Sequence, residues 1–310
     1  MEQETLVLDG GPLSGPQVVG VARKGVNVEI GDHALSLMTA ARETVEETLK
    51  SNTSIYGINT GFGALSTTNI SQKKLVNLQM NILRSHAACV GKPLDTETVR
   101  GMMLLLAASI CRGHSGPRPI VAQTIVDMLN ANVTPIIPSR GSVGASGDLA
   151  PLAHLALVLC GEGKATLGEK VMPGKTAMAA AGITPIIPAE KEGLALINGT
   201  HLMASIAALS LADIAIICET AVIATAMSID AAKATSIFLD DRIHAVRGQS
   251  GQRTVAASIR EHLRGSTILT SHGENDPRVQ DPYSFRCSPQ VLGAAIESIA
   301  RITGTISAEL

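Results

Sequence analysis

The segment richest in chemistry is GSVGASGDLAPLAHLA, residues 141–156. As backbone alone it is a glycine-rich turn, with Ser146 or Asp148 capping the following helix and Pro151 tolerated in its first turn. It does not fit a phosphate loop. Glycines at 141, 144 and 147 match neither the dinucleotide fingerprint nor the P-loop, and no Lys-Ser/Thr pair follows. The tripeptide Ala145-Ser146-Gly147 allows a further reading. Gly147 lacks a Cβ, so its nitrogen can approach the Ala145 carbonyl in a turn that other residues resist. Attack there closes a five-membered ring. Loss of two waters, one involving the Ser146 hydroxyl, leaves an exocyclic alkene, a strong electrophile. Ordinary side chains supply nothing comparable, and such a site needs no external cofactor.

The tyrosines are placed unusually. The chain has no Trp, three Phe and two Tyr. Tyr56 lies in SIYGINTGFGAL and Tyr283 in RVQDPYSFRC, polar segments marked by Gly or Pro. A packing tyrosine belongs inside helical or strand periodicity, so this placement points toward chemistry.

The elements that must position these residues are mostly helical. Two short extended pieces, LVLD and VNVEI, fall within residues 5–30, and a helix reads from about Ala34 to Lys50 with Asp32 as its N-cap. Residues 52–71 have no helical period, and Gly57, Gly61 and Gly63 make them a loop. Helical patterns return at 72–91, 96–112 and 119–131, and 149–160 reads as a buried helix. TPIIP occurs at 134–138 and 184–188, read as two extended connectors, and 161–192 reads as hairpins and turns. Thr200 to Arg247 contains neither Gly nor Pro, and 200 to about 234 reads as one long helix, apolar nearly all round. Such helices belong to bundles. The charged, broken region 239–284 reads as a surface or active-site loop, and Gln290 to Leu310 resumes a helical pattern without a closing signal, as a fragment would. The expected fold is mainly α: an N-terminal mixed helical domain with short strands (1–195), then the first part of a long-helix bundle (196–310).

Composition sets the outer bounds. Across 310 residues, 25 Lys+Arg against 27 Asp+Glu leave a net charge of −2 without long runs of either sign. That argues against nucleic-acid binding and electrostatic membrane anchoring. Mean hydropathy is +0.25, which excludes disorder as the main character. Contiguous apolar runs such as MMLLLAASIC (102–111) fall short of the ~20 residues of a membrane span. The acidic N-terminus MEQETLVLDG has no signal-peptide core, and five scattered cysteines read as reduced thiols of a cytoplasmic protein.

GSVGASGDLAPLAH, with YGINTGFG (56–63), LINGT (196–200) and VQDPYSFRCSPQ (279–290), resembles the aromatic amino acid ammonia-lyases from about residue 5 to the last residue. The resemblance implies that Ala145, Ser146 and Gly147 form a methylidene-imidazolone (MIO) group, with Asp148 assisting the cyclisation. It implies that Asn198 hydrogen-bonds the MIO oxygen and that Tyr56 removes the substrate β-proton. A tyrosine titrating near ~10 needs positive charge or helix N-termini nearby for that role. Arg286 would grip the substrate carboxylate in a guanidinium fork, where a surface ion pair is the plainer fate of an arginine. Gln280 and Tyr283 would line the same pocket. His86, in ILRSHAACVG, matches the position facing the substrate side chain and suits an imidazole or a phenol. The other seven histidines show no metal-ligand spacing.

The implied reaction takes L-histidine to trans-urocanate and ammonia. A tyrosine-specific lyase, an aminomutase of the same family and an inactive fragment stand as alternatives. The resemblance also implies a homotetramer with sites shared between subunits, and longer chains than this one. The family draws a glutamate and an aromatic residue from a region with no counterpart here.

Overall fold

Ser14 and Gln17 make a helix of a stretch that its Gly and Pro residues mark as a breaker. The Ser14 hydroxyl accepts the Gln17 amide at 3.4 Å and the Gln17 carboxamide oxygen accepts the Ser14 amide at 2.8 Å, a reciprocal capping box. Pro16 sits in the first turn, where its missing N–H costs nothing. The resulting helix α1 (Gly15–Lys24) connects β1 (Thr5–Leu8) to β2 (Asn27–Ile30), the two predicted extended pieces, which pair in parallel.

The computed structural model describes residues 5–51, 55, 57–58, 72–143, 147–271 and 277–310. The chain divides into two compact units, Met1–Leu209 with Leu310, and Ser210–Glu309.

In the first unit, α2 (Asp32–Lys50) begins one residue earlier than a cap at Asp32 would require. Gly31 is the N-cap and no side chain bonds there, because Asp32 is already helical. Then come α3 (Gln72–His86), β3 (Val90–Pro93), α4 (Thr96–Cys111) and α5 (Pro119–Asn130). Helix α4 is buried on nearly every side, including Arg100. The Arg100 guanidinium donates to the carbonyls of Val21 and Leu129 and to Asn132 Oδ1 at 2.9–3.2 Å, satisfying carbonyls in the last turns of α1 and α5.

The first TPIIP supplies parts of β4 (Val133–Pro135) and β5 (Pro138–Arg140), whereas the second is irregular. Strand β5 pairs antiparallel with β3. The predicted buried helix is α6 (Leu149–Leu159), and β6 (Lys164–Leu167) and β7 (Lys170–Pro173) form the predicted hairpin, which pairs on to β4. A short helix, α7 (Gly174–Ala180), lies within the stretch read as hairpins and turns, and α8 (Glu192–Ile197) begins at its last residue.

The long helix α9 runs His201–Ala231, 31 residues or roughly 46 Å. Contrary to the reading of contiguous runs, it is long and apolar enough to cross a membrane by length and composition. Its few charged residues interrupt the runs without lowering the average enough. A helix destined for a bundle passes the same test.

The second unit corrects the expectation of a loop over 239–284. Asp241–Arg247 is helical (α10), as is Ser250–His262 (α11), followed later by the single turn α12 (Tyr283–Arg286) and then α13 (Ser288–Glu309). The charges that mimic a loop lie on the outer faces of α10 and α11, while Val255, Ala256 and Ile259 join Val222, Ile229 and Leu239 in one core. Helices α11 and α13 cross backbone to backbone: a Cβ on Gly293 would stand 2.4 Å from the Gln252 nitrogen. His244 is an ordinary core histidine, donating from Nε2 to the Phe238 carbonyl and accepting from Gln252 at Nδ1. The mainly α expectation holds.

Candidate active site

The loop that precedes α6 is held by its far end. Gly147 has φ +69°, a left-handed conformation that glycine adopts without penalty. Its carbonyl accepts the Val143 amide at 2.9 Å; residues 144–146 and Tyr56 lie outside those described. Gly147 forms a parallel bridge with Gly199, whose carbonyl accepts the Asp148 amide at 3.1 Å.

Asp148 does not cap its own helix as the sequence reading allowed. Fully buried, it accepts the Ser142 hydroxyl at 2.6 Å on Oδ1 and the amides of Leu202 and Met203 at 2.8 and 3.0 Å on Oδ2. Those amides are unpaired donors at the positive end of a 31-residue helix, a strong attraction for a buried carboxylate. One side chain thereby ties both ends of the loop to the start of α9.

Asn198 follows directly from this arrangement. It is the C-cap of α8 and the neighbour of Gly199, so its exposed amide flanks the bridge to Gly147. Six residues cannot hold a helix unaided. Glu192, fully buried at the start of α8, accepts the Ala189 amide at 2.6 Å. It also takes three bonds from Arg118, one from the backbone amide and two from the guanidinium, at 2.8–2.9 Å. Gln79 Oε1 accepts the next free amide, that of Gly193, at 2.8 Å. Glu192, Arg118 and Gln79 escaped the sequence reading because nothing local marks them. Glu192→Ala is expected to lower unfolding free energy by about 2–4 kcal/mol, since several donors lose their acceptor at once; urea titration measures it.

His86 ends α3 half-buried. Its Nδ1 lies 2.8 Å from the Ile82 carbonyl, which can only accept, so Nδ1 carries the hydrogen. In the neutral ring Nε2 is then an acceptor, suited to an imidazole N–H or a phenol.

In the second unit, Gln280, Tyr283 and Arg286 line a cavity of about 330 Å³ together with Phe238, Asp281 and Gln290. The Arg286 guanidinium stands 5.9 Å over the Tyr283 ring, a cation–π contact. Among the described residues it forms no salt bridge, so the plainer fate of a surface ion pair is not what the structure shows. Asp281, which the sequence reading passed over, accepts the Thr235 amide at 2.7 Å and fixes the segment. The five cysteines are free thiols, and burial pushes Cys160 up to about 12 and Cys111 up to about 11.

Residues 13–310 match the family model described as aromatic amino acid lyase. The chain belongs to this family. It is 44% identical to a histidine ammonia-lyase of Gloeobacter violaceus, over 98% of this chain and 59% of that relative. Among solved structures, histidine ammonia-lyase from Trypanosoma cruzi superposes with a TM-score of 0.87 at 37% identity, over 98% of this chain and 56% of that one. Ergothionase from Treponema denticola superposes with 0.90 at 28% identity, over 98% and 61%. The chain thus spans about three-fifths of the length of these lyase-family relatives. The bridge between Gly147 and Gly199 now has a family context: it joins the segment read as the electrophile's source to the segment carrying Asn198.

Proposed function

We propose that the chain carries the electrophile-forming half of a histidine ammonia-lyase, which converts L-histidine to trans-urocanate and ammonia. The observation that carries this reading is the Asp148 clasp together with the bridge of Gly147, the last residue of the Ala-Ser-Gly tripeptide, to Gly199, the neighbour of Asn198. The fit to an MIO group rests on Gly147, whose left-handed φ of +69° suits a nitrogen turned back on its own loop. When formed, that group supplies an electrophile for the substrate amine.

The chain's own residues do the rest. Asn198 offers an amide donor at the loop, and Tyr56 removes the β-proton. His86 Nε2 receives a substrate ring N–H. In the second unit, Arg286 grips a substrate carboxylate, with Gln280 and Tyr283 lining its pocket. Arg286→Lys is expected to raise KM roughly 10–100-fold with a smaller change in kcat, because an ammonium cannot reproduce the bidentate fork; steady-state kinetics with histidine measure it.

The reading includes a cytoplasmic homotetramer with sites built from several subunits. Ile216, Ile217 and Met227 on α9, each more than 60% exposed, support burial by further bundle helices. The domain boundary proposed near residue 195 places α9 with the bundle.

Intact mass tests the proposal first. A deficit of about 36 Da, two waters, is expected in the purified chain, followed by urocanate absorbance on adding histidine. Coumarate from tyrosine would move the assignment to the tyrosine branch, and a β-amino acid product to an aminomutase. A mass equal to the plain sequence would overturn it.

A further inference from the structure

The near end of the same loop, already bonded to Asp148 through Ser142, is held by a second device as well. Gly141, where the loop begins, carries no side chain, and a Cβ there would lie 2.2 Å from Cys89 Sγ and 3.3 Å from Cys89 Cα. The buried Cys89 thiol therefore rests directly on the loop's first residue. Cys89 also ends the short turn that follows His86. In that turn Ala87 donates to the Leu83 carbonyl at 3.1 Å and Ala88 to the His86 carbonyl at 2.7 Å. The next amide, that of Cys89, finds its acceptor at Nε2 of His154, 3.2 Å away on α6.

A backbone amide can only donate, so His154 Nε2 is the unprotonated nitrogen and the ring is a neutral acceptor. Burial favours that state, since it holds the His154 pKa below the usual histidine value. A histidine serving only to fill space has no need to present a bare nitrogen to one particular amide. Helix α6 thus holds both ends of the loop. Asp148, at its N-cap, ties the far end to α9, and His154, six residues or roughly 9 Å further along, secures the near end through Cys89.

We propose that His154 is a positioning residue of the ammonia-lyase site, its bare Nε2 pinning Cys89, and through Cys89 both the start of the cyclising loop and the turn behind His86. The proposal rests on the reading that Ala145-Ser146-Gly147 cyclises. His154 acts through Cys89, by limiting where Gly141 and His86 can lie.

The test compares His154→Phe, which keeps a planar ring and loses the acceptor, with His154→Gln, whose carboxamide oxygen reaches the place of Nε2. The readout is the fraction of chains lacking two waters at fixed times after cell-free synthesis. Loss of one orienting hydrogen bond is expected to slow the deficit in His154→Phe about tenfold, with His154→Gln restored to near the parent rate. Should His154→Phe fail to fold, His154→Asn, too short to reach Cys89, takes its place. A Phe or Asn variant cyclising at the parent rate overturns the proposal, as does a folded Gln variant as slow as Phe.

If the parent never loses the two waters, the ammonia-lyase reading has failed. The clasp is then judged by amide hydrogen exchange at Cys89 and Val143. Exchange that quickens in Phe and recovers in Gln upholds the pinning by His154. Exchange unchanged across the variants refutes it.

Discussion

Ser146→Ala is expected to lack the two-water deficit and to reduce urocanate formation by at least about 1,000-fold, roughly 4 kcal/mol of activation free energy. The reason is in the leaving groups. Ring closure between the Gly147 nitrogen and the Ala145 carbonyl expels one water from the ring. The alkene requires a second water, and its oxygen comes from the Ser146 hydroxyl. With a methyl group at 146 that elimination has no leaving group, and no electrophile forms. The substitution removes one oxygen and adds no bulk, so far-ultraviolet circular dichroism and thermal melting should match the parent. A folded Ser146→Ala chain that still lacks two waters would place the dehydration elsewhere and remove the basis for the proposed chemistry.

The sequence disclosed what depends on local pattern. Helices α3 to α6 and α9 lie where periodicity and turn residues put them, and the hairpin of β6 and β7 follows from its glycines. Helix α1 was hidden because Gly15, Pro16 and Gly20 look like breakers, although Pro16 occupies the one turn where proline is welcome. Helices α10 and α11 were hidden by charge. Asp241 and Arg253 belong to an exposed ion pair at 2.8 Å, and the buried side of α11 shows only on a helical wheel.

Site residues follow the same division. The Ala-Ser-Gly tripeptide and the QDPYSFR segment announce themselves by composition, and the family resemblance carried Asn198 and His86. The partners that hold them are long-range and leave no local mark. Asp148 is read naturally as a cap for the helix it precedes, yet its acceptors serve amides 54 and 55 residues away. Glu192 meets Arg118 from 74 residues away, and His154 meets Cys89 from 65. Capping rules are local rules, and they fail where a buried carboxylate finds a better helix end.

That choice makes Asp148 the second large effect. Asp148→Ala is expected to cost about 3–6 kcal/mol of stability, because three buried or part-buried donors lose their only described acceptor. For a unit of this size that is a fall of about 6–24 °C in Tm. Asp148→Asn separates the hydrogen bonds from the charge. Its Oδ1 can still accept from Leu202 and Met203, and its Nδ2 can donate to Ser142, whose hydroxyl can turn to accept. What it loses is the attraction between a full negative charge and the α9 N-terminus, about 1–2 kcal/mol in a buried geometry. The expected order of melting temperature is therefore parent, then Asn, then Ala. The two-water deficit should follow that order, because the loop is held less firmly at each step. An Asp148→Ala chain melting within a degree or two of the parent would show that the carboxylate does not hold the loop to α9, and the positioning of Gly147 beside Asn198 would need another cause.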